Sequence, residues 1–200
     1  MLVNIREVVQ EYIKSNGDDA WKNLDNHKSK VKSEYISELK RREPHKDAKQ
    51  SWRSVSGDFL ELFVESYISD NTSSGTEISR ESETPQTVKD SIRLEFNSES
   101  VLPDSDVIVH DGQEASAIIS CKSSIRERVS QTLFWKISIE EQIGHIDFHF
   151  VTMDSDDELA EGLKWRPIVS DAMDGVYVFE TGDKIDDKIR PFPELRKKLE

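Results

Sequence analysis

The chain has 200 residues, 35% of them hydrophobic and 34% charged, and a formal net charge of −13. That length supports one globular core, while a single cysteine, Cys121, leaves no internal disulfide to form. No apolar run approaches the ~18 residues that a bilayer span needs, and the opening MLVNIREVVQEYIK is a charged amphipathic pattern rather than a basic-then-apolar leader.

A reducing cytoplasm is the expected compartment, with no membrane partner. The net charge alone argues against nucleic acid, but its distribution does not. Lys22, Lys28, Lys30, Lys32, Lys40, Arg41, Arg42, Lys46, Lys49 and Arg53 outnumber the acids interspersed among them, so the rest of the chain carries the excess of negative charge.

In chain order, NIREVVQEYI places Ile5, Val8, Val9, Tyr12 and Ile13 on one helical face. The basic segment reads as a solvated helix broken near Pro44. SWRSVSGDFLELFVESYI repeats the helical spacing with Val55, Phe59, Leu62, Phe63 and Tyr67. Residues 69–86, rich in Ser, Thr and Glu, read as a loop. Strand-like runs come next in SIRLEF, DVIV, SAIISC, HIDFHFVTM and GVYVFE, with a helix over IRERVSQTLFWKISIEEQI between the third and fourth. A short helix is expected over DDELAEGLKW, and PELRKKLE closes the chain as another. Helices first, then a β-rich centre with a crossover helix, give a mixed α/β (α+β) domain. The whole chain, 1–200, is expected to be one domain. Its parts are a helical region over 1–50 for DNA contact or dimerisation, a core over 51–183 and a closing helix over 184–200.

The chemistry gathers around two runs, VLPDSDVIV and AIISCK, read as neighbouring strands joined by HDGQEAS. Period-two alternation puts Asp104 and Asp106 on one side of the first strand, and Ser120 and Lys122 on one side of the second. Pairing the strands brings the acidic end beside Lys122. An aspartate can hold a divalent cation and a lysine can orient or deprotonate a water, a combination suited to phosphodiester hydrolysis. Mg2+ is the natural ion, since it takes few carboxylates together with waters and phosphate oxygens. The plainer reading is a hairpin with a surface salt bridge.

The run immediately after the lysine favours hydrolysis over the plain hairpin. In SSIRERV, Ser124 and Glu127 have the spacing of a capping box, so a helix should start there. Arg126 and Arg128 oppose the helix dipole at that end. They make sense if they reach guanine O6 and N7, with Glu127 accepting from cytosine N4.

These residues resemble the signature of the CCGG-family type II restriction endonucleases of the PD-(D/E)xK superfamily, and the BsaWI-type enzymes in particular. SWRSVSGDFLELF, SDVIV and DGVYVFETGD resemble further segments of that family, so the likeness runs in patches from about Trp52 to Asp183. It implies a restriction-endonuclease-like core, a central mixed sheet flanked by helices, acting on double-stranded DNA at a short palindrome with a CCGG or CC(N)GG-like core. It further implies Asp106 as the metal-binding aspartate, with Asp104 as the alternative, and Lys122 as the catalytic lysine. Ser120 would occupy the position of the superfamily's second acid, and Glu61, four residues after Gly57, would supply the missing carboxylate. Arg126, Glu127 and Arg128 would read the C:G pairs. The cofactor implied is Mg2+, the products are 5′-phosphate and 3′-hydroxyl ends, and a palindrome asks for a homodimer or a dimer of dimers.

One departure is plain: some members carry a glutamate thirteen or fourteen residues after the lysine, where this chain has Trp135 and Lys136. The rival readings are a nuclease of repair or structure-specific duty, and a silent DNA-binding relative.

Other groups have plainer expectations. His145, Asp147 and His149 could hold a transition metal but also read as the polar face of a strand. His110 is expected at the surface and Cys121 as a buried thiol. Glu65 is expected to be solvated, and Trp52, Phe63, Phe134 and Trp135 to lie in the core. The acidic run 154–161 reads as a solvated helix start.

Overall fold

The computed structural model describes residues 3–69, 75–125, 128–180, 182 and 185–199. The amphipathic spacing of the first third produces α1 (Ile5–Asn16), a 3-10 segment (Gly17–Asn23), α2 (Leu24–Arg42) and α3 (Ala48–Ser69). The break between α2 and α3 falls around Pro44, whose ring cannot continue a helix. Next come β1 (Glu77–Arg80), α4 (Gln86–Ser91), β2 (Leu94–Phe96), β3 (Glu99–Val101), β4 (Val107–His110) and β5 (Ala115–Lys122). The chain then runs through α5 (Arg128–Gln142), β6 (Asp147–Thr152), α6 (Trp165–Ala172), β7 (Gly175–Val178), β8 (Ile189–Pro191) and α7 (Pro193–Leu199).

Among the described residues the main sheet has six strands in the order β1-β4-β5-β6-β7-β8. The pairs β1–β4 and β4–β5 are antiparallel and the pairs from β5 to β8 are parallel. Its inner strands read as unbroken apolar runs because both faces are covered. Val107, Val109, Ile119 and Val151 face the layer of α1, α2 and α3, where Phe59, Phe63 and Trp52 pack. The alternate residues Ile108, Ile118, Phe148 and Phe150 face the layer that contains Val88, Ile125, Val129 and Ile139. The result is a mixed α/β sandwich of helix, sheet and helix.

Four expectations change, one of them being that residues 189–191, placed within a closing helix over 184–200, form β8, paired with β7, so that α7 starts only at Pro193. Residues 77–80, placed in a loop by their composition, form the edge strand β1 against β4, with Ile78 opposite Val109. Edge strands tolerate such polar sequences because one side faces solvent. The run SIRLEF is only half strand. Helix α4 ends at Ser91, and Leu94–Phe96 pairs with β3 in a separate two-stranded ribbon turned by Asn97 and Ser98, both at positive φ. The helix expected over DDELAEGLKW starts later, at Trp165. Asp154 and Asp157 at positive φ, and Gly162 at φ 81°, break the earlier stretch into turns.

Side chains move with these changes. Because β1 covers it, His110 is 2% exposed rather than at the surface, hydrogen-bonded to the Ser79 hydroxyl at 2.9 Å. Glu65 is buried, not solvated, between Arg6 of α1 and Arg80 of β1, each at 3.7 Å. Trp52, Phe63 and Cys121 are in the core as expected, whereas Phe134 is half exposed on the outer side of α5.

Candidate active site

The β4–β5 register sets the site. Val107 lies opposite Ile119 in an antiparallel pair, so the residue just before β4 falls beside the end of β5. The alternation expected for both aspartates is not what aligns them, since β4 begins only at Val107. Asp106 ends up against Lys122 nonetheless. Its Oδ2 accepts from Lys122 Nζ at 2.7 Å, from the Cys121 backbone N–H at 2.6 Å and, more weakly, from the Ser120 hydroxyl at 3.4 Å. Asp104 stands at 3.8 Å from the same ammonium and is far more exposed.

Charges this deep perturb one another. Burial pushes the Asp106 carboxyl up, against the pull of Lys122 and of the Cys121 N–H. Burial works against the Lys122 ammonium, yet Asp106 and then Asp104 hold it above its ordinary value, so it stays protonated. Glu61, projecting from α3 into the same cleft, is pushed up to about 7 by burial first and then by Asp106 and Asp58. A carboxylate raised by desolvation and by like charge in a cleft is a common mark of a functional site.

The cleft has a volume of about 570 Å3. Glu61, Asp104 and Asp106 form an acidic wall, and Lys32, Arg53 and Arg128 line it as cations. Gly57 sits one turn before Glu61, where an added Cβ would meet Glu61 Oε1 at an ordinary 3.7 Å, so that the helix presents its carboxylate over bare backbone. These donors are all oxygens, and the Asp106 and Asp58 carboxylates add to the upward push of burial on Glu61. The set suits a hard divalent cation held by Asp106 and Glu61, with Asp104 beside them.

The remaining expected site residues fall into place unevenly. Ser120 is buried behind Asp106 and shares a hydrogen bond with the Thr132 hydroxyl at 3.3 Å, out of the cleft. Arg128 is exposed at the start of α5 and lines the cleft. Arg126 and Glu127 lie outside the described residues. The expected capping box includes Glu127 and so falls outside the described residues; the Ile125 carbonyl accepts from the Arg128 N–H at 3.0 Å and from the Val129 N–H at 3.3 Å, and Ile125 itself is fully buried. Lys136 pairs with Glu140 at 2.6 Å and Asp174 at 2.9 Å. Sequence reasoning passed over Lys28, Lys32, Arg53 and Ser123 as site residues; the i,i+4 spacing of Lys28 and Lys32 inside the basic stretch was the signal.

The other metal candidate lies at the opposite end of β6. His145, Asp147 and Asp174 offer ligand atoms within 4.8 Å of one another. His149 is not in that group: it is fully buried, with no hydrogen bond to either ring nitrogen, and its Nε2 stands 4.0 Å from Asp147 Oδ2. Lys136 at 2.9 Å from Asp174 and Lys198 at 3.6 Å from Asp147 already supply positive charge there.

Comparison with known proteins agrees with the geometry. Residues 84–198 match the family model described as BsaWI restriction endonuclease type 2, more than half of the chain. MjaVIP of Methanocaldococcus jannaschii, assigned as a type II restriction enzyme, is 28% identical over 172 residues, covering 74% of this chain and 75% of that protein. In fold, the chain is similar to the restriction endonuclease PspGI in its complex with substrate DNA, with a TM-score of 0.56 at 15% identity over 99% of this chain and 92% of that one. It is similar also to the restriction endonuclease AgeI in a specific DNA complex, with a TM-score of 0.59 at 11% identity over 98% and 92%. No helix among the described residues is long and apolar enough to cross a membrane. The chain therefore belongs to the BsaWI restriction endonuclease type 2 family and is a type II restriction enzyme, a site-specific DNA nuclease.

Proposed function

We propose that the chain is a Mg2+-dependent endonuclease that cuts double-stranded DNA at a short palindrome with a CCGG or CC(N)GG-like core, acting as a homodimer. The observation that carries the proposal is the Asp106–Lys122 contact at 2.7 Å, set in a cleft with Glu61 on one wall and Arg128 on its rim. In this reading Asp106 and Glu61 hold the cation. A divalent cation bound there supplies positive charge to the scissile phosphate and to the leaving oxygen.

Lys122, protonated because of Asp106, donates a hydrogen bond to the attacking water and keeps it in line with the bond to be broken. Water adds to phosphorus as it releases a proton to solvent, the P–O3′ bond breaks, O3′ takes a proton from a solvent water, and the products are a 3′-hydroxyl and a 5′-phosphate. Ser120 supports Asp106 from behind and does not touch the substrate. Arg128 enters the major groove from the start of α5, and it reads C:G pairs together with Arg126 and Glu127, which precede it in the sequence.

The test separates cutting from reading. Lys122→Ala should abolish cleavage of a duplex carrying the site while leaving sequence-specific binding largely intact. Arg128→Ala should cost about 1–3 kcal/mol of discrimination at one C:G pair. If Lys122→Ala lost specific binding as well, the lysine would be chiefly structural. If Arg128→Ala weakened binding equally on every sequence, the arginine would be a phosphate clamp and not a base reader.

A further inference from the structure

Lys28 stands on α2, outside the matched family region, yet its ammonium reaches the edge of the active site. The residue is 8% exposed, and its Nζ donates to the Ser123 hydroxyl at 2.8 Å and lies 3.5 Å from Met153 Sδ. Among the described residues no carboxylate pairs with it; Asp25, three positions earlier on the same helix, attracts it only from a distance. Burial pushes the ammonium down to about 8. A thioether is a weak acceptor, so Ser123 is the one good partner of a cation that is costly to bury. A methionine or leucine would fill the same space more cheaply, and Lys32 one turn on shows how easily α2 can leave a lysine at the surface.

The partner explains the cost. Ser123 comes directly after Lys122 and lines the cleft. Its carbonyl accepts from the Ser155 N–H at 3.2 Å, and the Lys122 carbonyl accepts from Met153 at 3.3 Å. The backbone of the turn is thus pinned to the stretch after β6. The hydroxyl is pinned by Lys28, from the opposite helical layer. Two residues on, Ile125 is fully buried and its carbonyl accepts from the N–H of Arg128, the first residue of α5.

We infer that Lys28 is a positioning residue: through the Ser123 hydroxyl it fixes the turn between Lys122 and α5, so that α2 sets the register between the phosphate that is cut and the bases that are read. The inference rests on the nuclease reading, because it assigns the turn a part in cleavage. It gives the N-terminal layer a role in the reaction itself.

Lys28→Met keeps the length and burial of the side chain but removes the donor, and Ser123→Ala removes the acceptor. Each should speed amide hydrogen exchange in the segment from Cys121 to Val129 about tenfold, with no further gain in the double variant, as expected for one shared contact. Lys30→Met, on the solvent side of the same helix, should change nothing. Unchanged exchange in that segment would overturn the inference whether or not the protein cuts DNA. A uniform rise across all helices would also overturn it, since Lys28 would then only support the fold.

On a cleavable duplex, each variant should lower the single-turnover rate about tenfold, non-additively in the double. Affinity, measured in a Lys122→Ala background, should hold. A loss of affinity on every duplex with an unchanged rate at saturation would make Lys28 a phosphate contact and overturn the inference. A wild-type protein that cuts nothing would refute the nuclease reading instead, and the exchange result alone would then decide the role of Lys28.

Discussion

At the scale of single residues, the site is a balance of charges that is unfavourable without its ligand. Asp106 has three donors on one oxygen, whereas Asp104 stands 3.8 Å from Lys122 and is open to solvent. Asp106→Asn should therefore reduce metal-dependent cleavage far more than Asp104→Asn, measured as single-turnover rates on one duplex. The reverse order would exchange their roles.

Glu61 makes a second prediction. Its folded value, about 7, lies above the ordinary 4.5, so the native state resists its ionisation. Stability linked to this group is fully present below the ordinary value and is lost as pH rises through about 7. Without divalent metal, Glu61→Gln should accordingly raise the Tm at about pH 8 and leave it unchanged near pH 4.5, while removing cleavage. A lower Tm at about pH 8 would show that the carboxylate stabilises the fold. Stability gained on removing an active-site group is a familiar trade against activity.

Asp106 and Lys122 could be brought together from the sequence, because one hairpin joins their strands, although the register that aligns them, Val107 opposite Ile119, came from the structure. Lys28 could not. Its partner Ser123 is 95 positions away, and only the packing of α2 against the sheet brings the two together.

At the scale of elements, what was legible depended on whether the pattern was local. The amphipathic faces of α1 and α3 and the apolar runs of β4 and β5 carry their own signals, and these elements lie where the pattern puts them. β1 has no such signal: EISR becomes a strand because β4 offers it an edge, and with it His110 and Glu65 move from solvent into the interior. α6 was displaced by backbone conformations at Asp154, Asp157 and Gly162 that composition does not announce.

In β7, Gly175 lies under the buried Tyr177 ring, and a Cβ there would come within 2.7 Å of it. The ring has no room to swing away, so Gly175→Ala should destabilise the protein by about 1–3 kcal/mol, readable as a Tm lowered by ~2–10 °C. An unchanged Tm would mean that the ring is free to move.

The neighbouring strand β6 buries His149 without a hydrogen bond, its Nε2 4.0 Å from Asp147 Oδ2, and burial lowers its imidazole to about 4. The native state thus prefers the neutral ring. Its contribution is fully present above the ordinary 6.5 and is lost as pH falls from there through about 4. Between about pH 7 and pH 5 that loss is about 2 kcal/mol. Urea titrations should show a smaller decline over this range in His149→Phe than in the wild type. Equal declines would assign the acid sensitivity to other groups.

For the molecule as a whole, a net charge of −13 sets a general repulsion from DNA, so attraction has to be local. Lys32, Arg53 and Arg128 concentrate positive charge along the cleft that holds the carboxylates. The basic stretch noted in the sequence thus contributes to the active site rather than to a separate surface, although the composition could not say which of its ten cations would face the cleft. Two of the three are contributed by the helices α2 and α3, ahead of the matched family region, and the third by α5. The three-layer architecture is what joins them: the sheet holds Asp106 and Lys122 where β4 begins and β5 ends, the layer of α2 and α3 adds Glu61, Lys32 and Arg53, and α5 in the other layer adds Arg128.

The central claim is that this cleft cuts DNA at a defined palindrome, and its most direct test is to incubate the protein with a phage genome and Mg2+, sequence the ends produced, and run Lys122→Ala alongside. Discrete ends that share a C:G-rich palindrome, absent from the variant and from a metal-free control, are the predicted result. Ends scattered without a shared sequence, or ends that persist in Lys122→Ala, would contradict it.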